Sequence, residues 1–348
     1  MASRFYRIGV VGASSLAGKE LADEIGESQL AASNVVLLDD EAAEGLLTAA
    51  GEEPAFIQRI EKSSFEGLDF VFFAGDPGST LRHWQEAKRA GASIVDLTQA
   101  LETEKDVLVQ APWVAEELGN GQGKRPDLKT PAVIAAHPVA VMLALVAGRL
   151  RATLGLKNIA ATVMEPASEY GRAAMDEMHQ QTVNLLSFQT LPREQYDAQV
   201  SFNLLPALGE NAKIKLGRTE LLIRRHYFAL GEGELAPLAL QMVQAPVFHG
   251  HVISVLVELE TPATRAEVEK ALEGEHIDLV SEDGEPPSNL TAAGQEEIMV
   301  RVAEDFGDAE RGTRLWLWMA GDNLKLAALN GIACALELGR LRPRGKVQ

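Results

Sequence analysis

Residues 132–150 constrain the fold more than any other stretch, because they join two apolar runs at one proline. Residues 132–136 form a short run typical of a buried strand. His137-Pro138 ends that strand, since proline cannot donate to a ladder and keeps its predecessor out of the α region. The apolar pattern from 139 to 148 then favours a helix. Such a strand–turn–helix unit is where α/β enzymes place a nucleophile, yet residues 137–141 include no Ser, Thr or Cys.

A membrane span is the competing interpretation of this segment. The internal His137-Pro138 and the flanking Thr130 and Arg149 disfavour it. The net charge of −18 also disfavours anionic membranes and nucleic acids as partners, because both are polyanions. The single cysteine, Cys334, excludes an internal disulfide, and the first residues lack a clean signal-peptide core. We therefore expect a cytoplasmic protein.

A glycine-rich turn follows the first predicted strand, Arg7–Val11. Gly12, Ser15 and Gly18 have the spacing of the dinucleotide-binding fingerprint, with serine in place of the middle glycine that lets the backbone approach a pyrophosphate. Strand, turn and helix come in the order that the motif requires, so it predicts a dinucleotide site. The alternative is a helix start that binds nothing.

Two carboxylates, Asp39 and Asp40, follow the second predicted strand, 34–38. Carboxylates at this position suit a ribose hydroxyl and repel a 2′-phosphate, so NAD is the dinucleotide expected and NADP is disfavoured. A solvated turn explains the two residues equally well. The sequence therefore also leaves open that no dinucleotide is bound.

Five segments resemble the aspartate-semialdehyde dehydrogenase family, in the family's order and over nearly the whole chain. They are residues 12–18, 73–80, 168–177, 246–251 and 322–330. In the third, Ser168-Glu169-Tyr170-Gly171 corresponds to the family's serine-glycine-alanine-glycine. No one segment is specific, but the ordered set is.

The resemblance implies an α/β protein of two domains, which the length of 348 residues and the alternation of predicted strands and helices also favour. A Rossmann-like NAD(P)-binding domain is expected at 1–130 and an α+β domain of the dimerisation and catalytic type at 131–322. A C-terminal helix, within 323–348, is expected to return to the first domain. The family also implies a homodimer.

In this family a cysteine thiolate attacks an aldehyde, hydride passes to the nicotinamide, and phosphate cleaves the resulting thioester. A histidine moves the protons, a glutamine orients the site and an arginine holds the substrate carboxylate. By resemblance the cysteine falls on Ala140, the glutamine on Glu165 and the arginine on Gln244. Only the histidine is kept, as His251.

The resemblance also assigns binding positions. The implied cofactor contacts are Gly12, Ser14, Ser15, Leu16, Gly75, Gly78 and Asn323. The arginine for phosphate falls on Leu101 or Glu102, and the glutamate for the substrate amino group falls on Thr219 or Glu220.

These replacements predict a semialdehyde dehydrogenase-like protein that is inactive as a phosphorylating aldehyde dehydrogenase. Without a thiolate there is no covalent intermediate, and Glu165 with Gln244 opposes an anionic substrate. One alternative is an oxidoreductase or other enzyme that uses His251 and Glu165 as an acid–base pair on a non-anionic ligand. Another is an aspartate-semialdehyde dehydrogenase of weak activity. No metal site is predicted, because His249 and His251 lack a third candidate ligand in the sequence.

Overall fold

The structure is a computed structural model, which describes residues 6–30, 34–50, 53–119, 125–304 and 310–341. The chain divides into two compact units. The first unit comprises Met1–Glu116, Asn120–Pro138 and Ala327–Gln348, and the second comprises Glu117–Gly119 and Val139–Leu326.

The first unit contains, in its described residues, a seven-stranded parallel sheet of order β5-β2-β1-β6-β7-β9-β8. Its strands are β1 (Arg7–Val11), β2 (Asn34–Asp39), β5 (Gln58–Arg59), β6 (Phe70–Phe73), β7 (Ser93–Asp96), β8 (Leu108–Gln110) and β9 (Val133–Ala135), and β3 (Leu47–Ala50) pairs with β4 (Glu53–Phe56) in a separate hairpin. The helices of this part of the chain are α1 (Leu16–Glu27), α2 (Pro77–Arg89) and α3 (Pro112–Glu117).

The core of the first unit includes the last helix of the chain, α8 (Asn323–Leu341). Ile332 and Leu338 of α8 belong to one buried cluster with Ile8 and Phe72 of the sheet. Strand β6, Phe-Val-Phe-Phe, is buried throughout, as strands of a parallel sheet covered on both faces are. The predicted fold class, including a closing helix that packs on the Rossmann-like domain, is confirmed.

Among its described residues, the second unit has a mixed six-stranded sheet of order β11-β10-β12-β15-β14-β13. Its strands are β10 (Leu156–Glu165), β11 (Leu238–Gln244), β12 (His251–Ala263), β13 (Ile277–Leu279), β14 (Ile298–Glu304) and β15 (Gly312–Gly321). The helices here are α4 (Pro138–Leu154), α5 (Arg172–Leu186), α6 (Leu216–Gly231) and α7 (Arg265–Leu272). Thr264 and Glu267 form a capping box at the start of α7.

Strand β15 shows that one face of the second sheet is packed and the other is open. Leu315 and Leu317 are buried, whereas Trp316 and Trp318 between and beyond them are exposed. This alternation is typical of a sheet that packs on a core with one face only.

The strand–turn–helix unit predicted at 132–150 is present as β9 and α4. The helix continues to Leu154, beyond the predicted end at Gly148. A Cβ on Gly148 would lie 3.2 Å from the Leu118 side chain, so this glycine serves close packing and does not end the helix. Arg149 is buried in the last turns, where Nε donates to Glu117 at 2.9 Å and Nη1 to the Leu272 carbonyl at 2.7 Å. Within the described residues, no helix has the length and apolar character needed to cross a membrane.

Candidate functional site

Two glycine turns meet at the carboxyl ends of β1 and β6 in the first unit. The sheet order reverses here, because β2 lies on one side of β1 and β6 on the other. Parallel α/β sheets bind ligands at such a switch point. Gly12 has a φ of +86°, and a Cβ on it would lie 2.3 Å from the Cα of Gly75. Since the two backbones touch, neither Gly12 nor Gly75 has room for a side chain, and this backbone cradle fits a dinucleotide.

Ser15 ties the two turns together. Its Oγ accepts from the backbone N–H of Gly18 at 2.9 Å and donates to the carbonyl of Ala74 at 2.8 Å. The serine is therefore the N-cap of α1, with its hydroxyl used inside the protein. The N–H groups of Leu16 and Ala17 lie at the helix start, where backbone donors have no partner within the helix.

The carboxylate of Asp39 closes the first glycine turn from the neighbouring strand. Its Oδ2 accepts from the Ser14 N–H and its Oδ1 from the Asp40 N–H, both at 2.8 Å. The carboxylate thus lies beside the turn, where this fold binds the ribose of a dinucleotide. Asp40 is exposed and faces Arg82 Nη2 at 3.5 Å.

The second glycine turn leads into α2 and is capped by its own carboxylate. Asp76 accepts from the Ser79 N–H at 2.8 Å, and a Cβ on Gly78 would lie 2.8 Å from Asp76 Oδ2. Farther along the sheet, Leu101 is wholly buried in the core, while its neighbour Glu102 is partly exposed. Leu101 therefore offers nothing to a phosphate.

Three predicted site residues lie in one row across three adjacent strands of the second sheet. Glu165 ends β10, Gln244 ends β11 and His251 begins β12. Glu165 and Gln244 are register partners, and Met164 pairs with Val252 in the antiparallel ladder. All three site residues have no exposed surface. The structure therefore brings together residues that are 79 and 86 positions apart in the chain.

Glu165 and His251 form a buried ion pair, with Oε2 and Nε2 3.0 Å apart. Burial lowers the pKa of His251, but the carboxylates of Glu165, Glu169 and Asp322 raise it, and the net shift is upward. Removing one partner of such a pair leaves an uncompensated buried charge.

A second carboxylate, Glu169, lies at the same histidine. Its Oε2 is 3.9 Å from His251 Nε2 and accepts from Asn323 Nδ2 at 3.1 Å. Asn323 Oδ1 in turn accepts from Ser168 Oγ at 3.1 Å and from the Gly250 N–H at 3.0 Å. Asn323, predicted as a cofactor contact, is thus bonded to the row in the second unit.

Tyr170 adds a neutral hydroxyl to this group. Its Oη is 3.2 Å from Thr219 Oγ1. Burial and the charge of Glu165 raise the pKa of the Tyr170 phenol well above its ordinary value. Of the two positions aligned with the family's substrate-binding glutamate, Thr219 therefore lies here, whereas Glu220 pairs with Arg224 at 2.9 Å.

Ala140, which the resemblance aligns with the family's nucleophile, lies in the first turn of α4 and is wholly buried. A methyl group there offers no lone pair for attack. Cys334 cannot take its place, because it lies in α8 with its Sγ 3.7 Å from the Gln110 carbonyl, and burial raises the pKa of its thiol.

Sequence reasoning missed Glu169 and Tyr170. The signal was present, because these two residues replace the small residues of the family's serine-glycine-alanine-glycine segment.

Comparison with known proteins agrees with this geometry. Residues 7–121 match the family model of the semialdehyde dehydrogenase NAD binding domain, and residues 148–326 match that of the semialdehyde dehydrogenase dimerisation domain. The chain is 30% identical over 338 residues to the USG-1 protein homolog of Pseudomonas aeruginosa, covering 95% of this chain and 96% of that one. It is 25% identical over 348 residues to the aspartate-semialdehyde dehydrogenase of Rickettsia bellii, covering 96% and 97%.

A solved structure described as a probable aspartate-semialdehyde dehydrogenase from Pseudomonas aeruginosa has a TM-score of 0.84 to this chain. The two are 27% identical, and the match covers 96% of this chain and 98% of that one. A parallel sheet with paired glycine turns, followed by a mixed sheet, defines a two-unit α/β protein of the dehydrogenase type. The chain belongs to the semialdehyde dehydrogenase family, which confirms the resemblance of its five segments.

Replacing Glu165 with Gln should lower the pKa of His251, because burial would then be opposed only by the charges of Glu169 and Asp322. Titration of the His251 Cε1 proton by NMR measures the His251 pKa. The control Glu210→Gln, which changes an exposed carboxylate of the same unit, should leave that pKa unchanged.

The raised pKa of His251 also makes stability depend on pH. Its contribution to the free energy of unfolding is full below the unfolded pKa of 6.5 and is lost as pH rises through the folded pKa. A wild-type midpoint below 6.5 would contradict the ion pair.

Proposed function

We propose that this chain is a semialdehyde dehydrogenase-like protein that does not perform the phosphorylating aldehyde dehydrogenase reaction. The observation that carries the proposal is Ala140, a wholly buried methyl at the position of the family's thiolate. Loss of a catalytic nucleophile costs on the order of a millionfold in turnover, with a small remainder from binding.

The charges of the row support the same proposal. Gln244 supplies no positive charge for a substrate carboxylate, and its Nε2 donates to the carbonyls of Glu165 and Ala245 at 3.0 and 3.1 Å. The Glu165 carboxylate repels an anion at the same place.

A second candidate function is acid–base catalysis on a non-anionic ligand. It is favoured by one observation, the 3.0 Å contact of His251 with Glu165, which gives a proton donor and an acceptor side by side. Weak aspartate-semialdehyde dehydrogenase activity is the third possibility. An assay of the wild-type chain with aspartate semialdehyde, phosphate and each nicotinamide separates it from the first proposal, which expects no turnover above background.

The triple variant Ala140→Cys, Glu165→Gln, Gln244→Arg should give slow but measurable turnover of aspartate semialdehyde. It restores the nucleophile, removes the repelling carboxylate and supplies a cation for the substrate. Ala140→Cys alone should stay inactive, because the charges of the row still exclude the anion. A single variant as active as the triple would show that charge is not what excludes the substrate.

We further propose that the first unit binds NAD. The proposed contacts are Gly12, Ser14, Ser15, Leu16, Gly75 and Gly78, and the resemblance adds Asn323. The matched NAD binding domain supports a dinucleotide, and the position of Asp39 beside the glycine turn supports NAD over NADP, since a carboxylate repels a 2′-phosphate.

Calorimetry should show binding of NAD and little or none of NADP. Asp39→Asn removes the negative charge but keeps an oxygen that can accept from the Ser14 N–H. The difference in affinity between NAD and NADP should therefore become smaller. Arg82→Gln is the matched control, because Arg82 is the exposed cation near Asp40. Micromolar NADP binding by the wild type, without NAD binding, would overturn the assignment. If that NADP affinity were then lost in Arg82→Gln, Arg82 would be identified as a contact of the 2′-phosphate.

We propose that the chain is a homodimer through the open face of the second sheet, supported by the matched dimerisation domain and by the exposed Trp316. We propose domains at 1–130, 131–322 and 323–348, with 131–322 as the dimerisation domain. A cytoplasmic location is proposed from the lone buried Cys334, which suits a reducing compartment, and cell fractionation tests it.

Light scattering should give twice the chain mass of 37.5 kDa for the wild type. Trp316→Glu should shift the mass toward the monomer, because it places a charge in the apolar contact. Leu46→Glu, at an exposed apolar residue of the first unit, is the control and should stay dimeric. A monomeric wild type would contradict the proposal.

A further inference from the structure

The row of Glu165, Gln244 and His251 has more acceptors than its own contacts use. We propose that this row binds a small molecule through a protonated primary amine. The ammonium group is held by the carboxylates of Glu165 and Glu169 and by the side-chain Oε1 of Gln244. The inference rests on the proposed function, because it takes the row to be free of the family's anionic substrate.

The charges around the row favour a cation. Glu165 and Glu169 lie 3.0 and 3.9 Å from His251, and Asp322 also acts on that histidine. Three carboxylates thus act on one histidine. A positively charged ligand is attracted to this arrangement, whereas an anionic one is repelled.

Gln244 points independently to a ligand that donates hydrogen bonds. Its side chain has no exposed surface, and its Oε1 has no hydrogen-bond partner among the described residues. Its Nε2 is fixed by the carbonyls of Glu165 and Ala245, so the amide presents an acceptor and not a donor. Because Glu165 and Gln244 are register partners, their side chains leave the sheet on the same face. An unpaired buried acceptor is costly, and an ammonium N–H would satisfy it.

An ammonium group matches these acceptors in number and kind. It carries three N–H donors and no acceptor. Glu165 uses Oε2 for His251, and a carboxylate can accept further bonds. The Glu169 side chain is 19% exposed, which makes it the outermost acceptor of the three. The hydroxyls of Tyr170 and Thr219 lie close by for a neutral part of the ligand.

A divalent metal is the other cation to consider. Metal binding requires an imidazole nitrogen with its lone pair available, whereas His251 Nε2 is already hydrogen-bonded to Glu165 Oε2 at 3.0 Å. The row therefore favours an organic ammonium over a metal ion.

The test uses the full chain and three probes of equal length: n-butylammonium, n-butanol and n-butyrate. Saturation-transfer NMR at pH 7 should show binding of butylammonium, weaker binding of butanol and none of butyrate. Addition of butylammonium should also shift the His251 imidazole signals, which locates the probe without any variant.

Variants then assign the contacts. Glu169→Gln should weaken butylammonium binding about ten- to a hundredfold, the usual effect of losing a charged hydrogen-bond partner. Gln244→Arg should abolish it and admit butyrate. Glu210→Gln makes the same change of charge at an exposed position of the second unit and should bind like the wild type.

The outcomes separate this inference from the proposed function. If the wild type turns over aspartate semialdehyde at an ordinary rate, the proposed function fails. If it does not, and butylammonium neither binds better than butanol nor shifts His251, only the amine proposal fails. Zinc binding by calorimetry that is lost in Glu169→Gln, with no butylammonium binding, would replace the ammonium with a metal. Equal butylammonium binding by the wild type and by both variants, Glu169→Gln and Glu210→Gln, would also overturn the amine proposal.

Discussion

The second unit depends on the buried ion pair of Glu165 and His251. Burying two charges costs several kcal/mol per ion after relaxation, and their mutual attraction repays this only where the geometry and the surrounding hydrogen bonds are good. Here the contact is 3.0 Å, and the strands that end at the pair are locked in register. Removing one partner therefore leaves the other's charge in the row without its closest opposite charge.

The first unit is constrained by a different contact, the approach of Gly12 to Gly75. A Cβ on either residue would lie within 2.6 Å of the other's Cα. Ser15 reinforces this contact by bonding to the Ala74 carbonyl. The first unit thus has a backbone cradle of the kind that dinucleotides occupy, while in the second unit the resemblance aligns Glu165 and Gln244 with residues that the family's chemistry uses.

Much of the fold could be predicted because its signals are local. Glycine turns, the proline that begins α4 and the capping box of α7 each act over a few residues. Helix α6 was not predicted because it lacks such signals. Lys215, at its N-cap, makes no side-chain capping hydrogen bond, and Gly217 is its second residue. At its end, the left-handed position is taken by Glu232 and not by a glycine. The extent of β12 depends on pairing with distant strands, which no local pattern encodes.

The site was predictable only as far as the resemblance reached. Ala140, Glu165, Gln244 and His251 were found by aligning motifs, and the register of the second sheet then placed three of them in one row. The contact of Glu169 with His251 depends on the turn after β10, where the chain passes through a short 3-10 helix from Ala167 to Tyr170. The position of a side chain on such a turn cannot be read from residue type alone.

The charges at positions 140, 165 and 244 differ from those that the resemblance implies for the family, and the three differences balance one another. In the family's chemistry, as the resemblance implies, a thiolate and a substrate carboxylate face a histidine and an arginine. With Ala140 the thiolate is lost, and an arginine at 244 would then add a second buried cation to His251. Gln244 removes that cation, and Glu165 supplies the anion that His251 still needs. The positive charge missing from the row is then the one that an ammonium ligand would bring, which ties the loss of the nucleophile to the kind of ligand the row now favours.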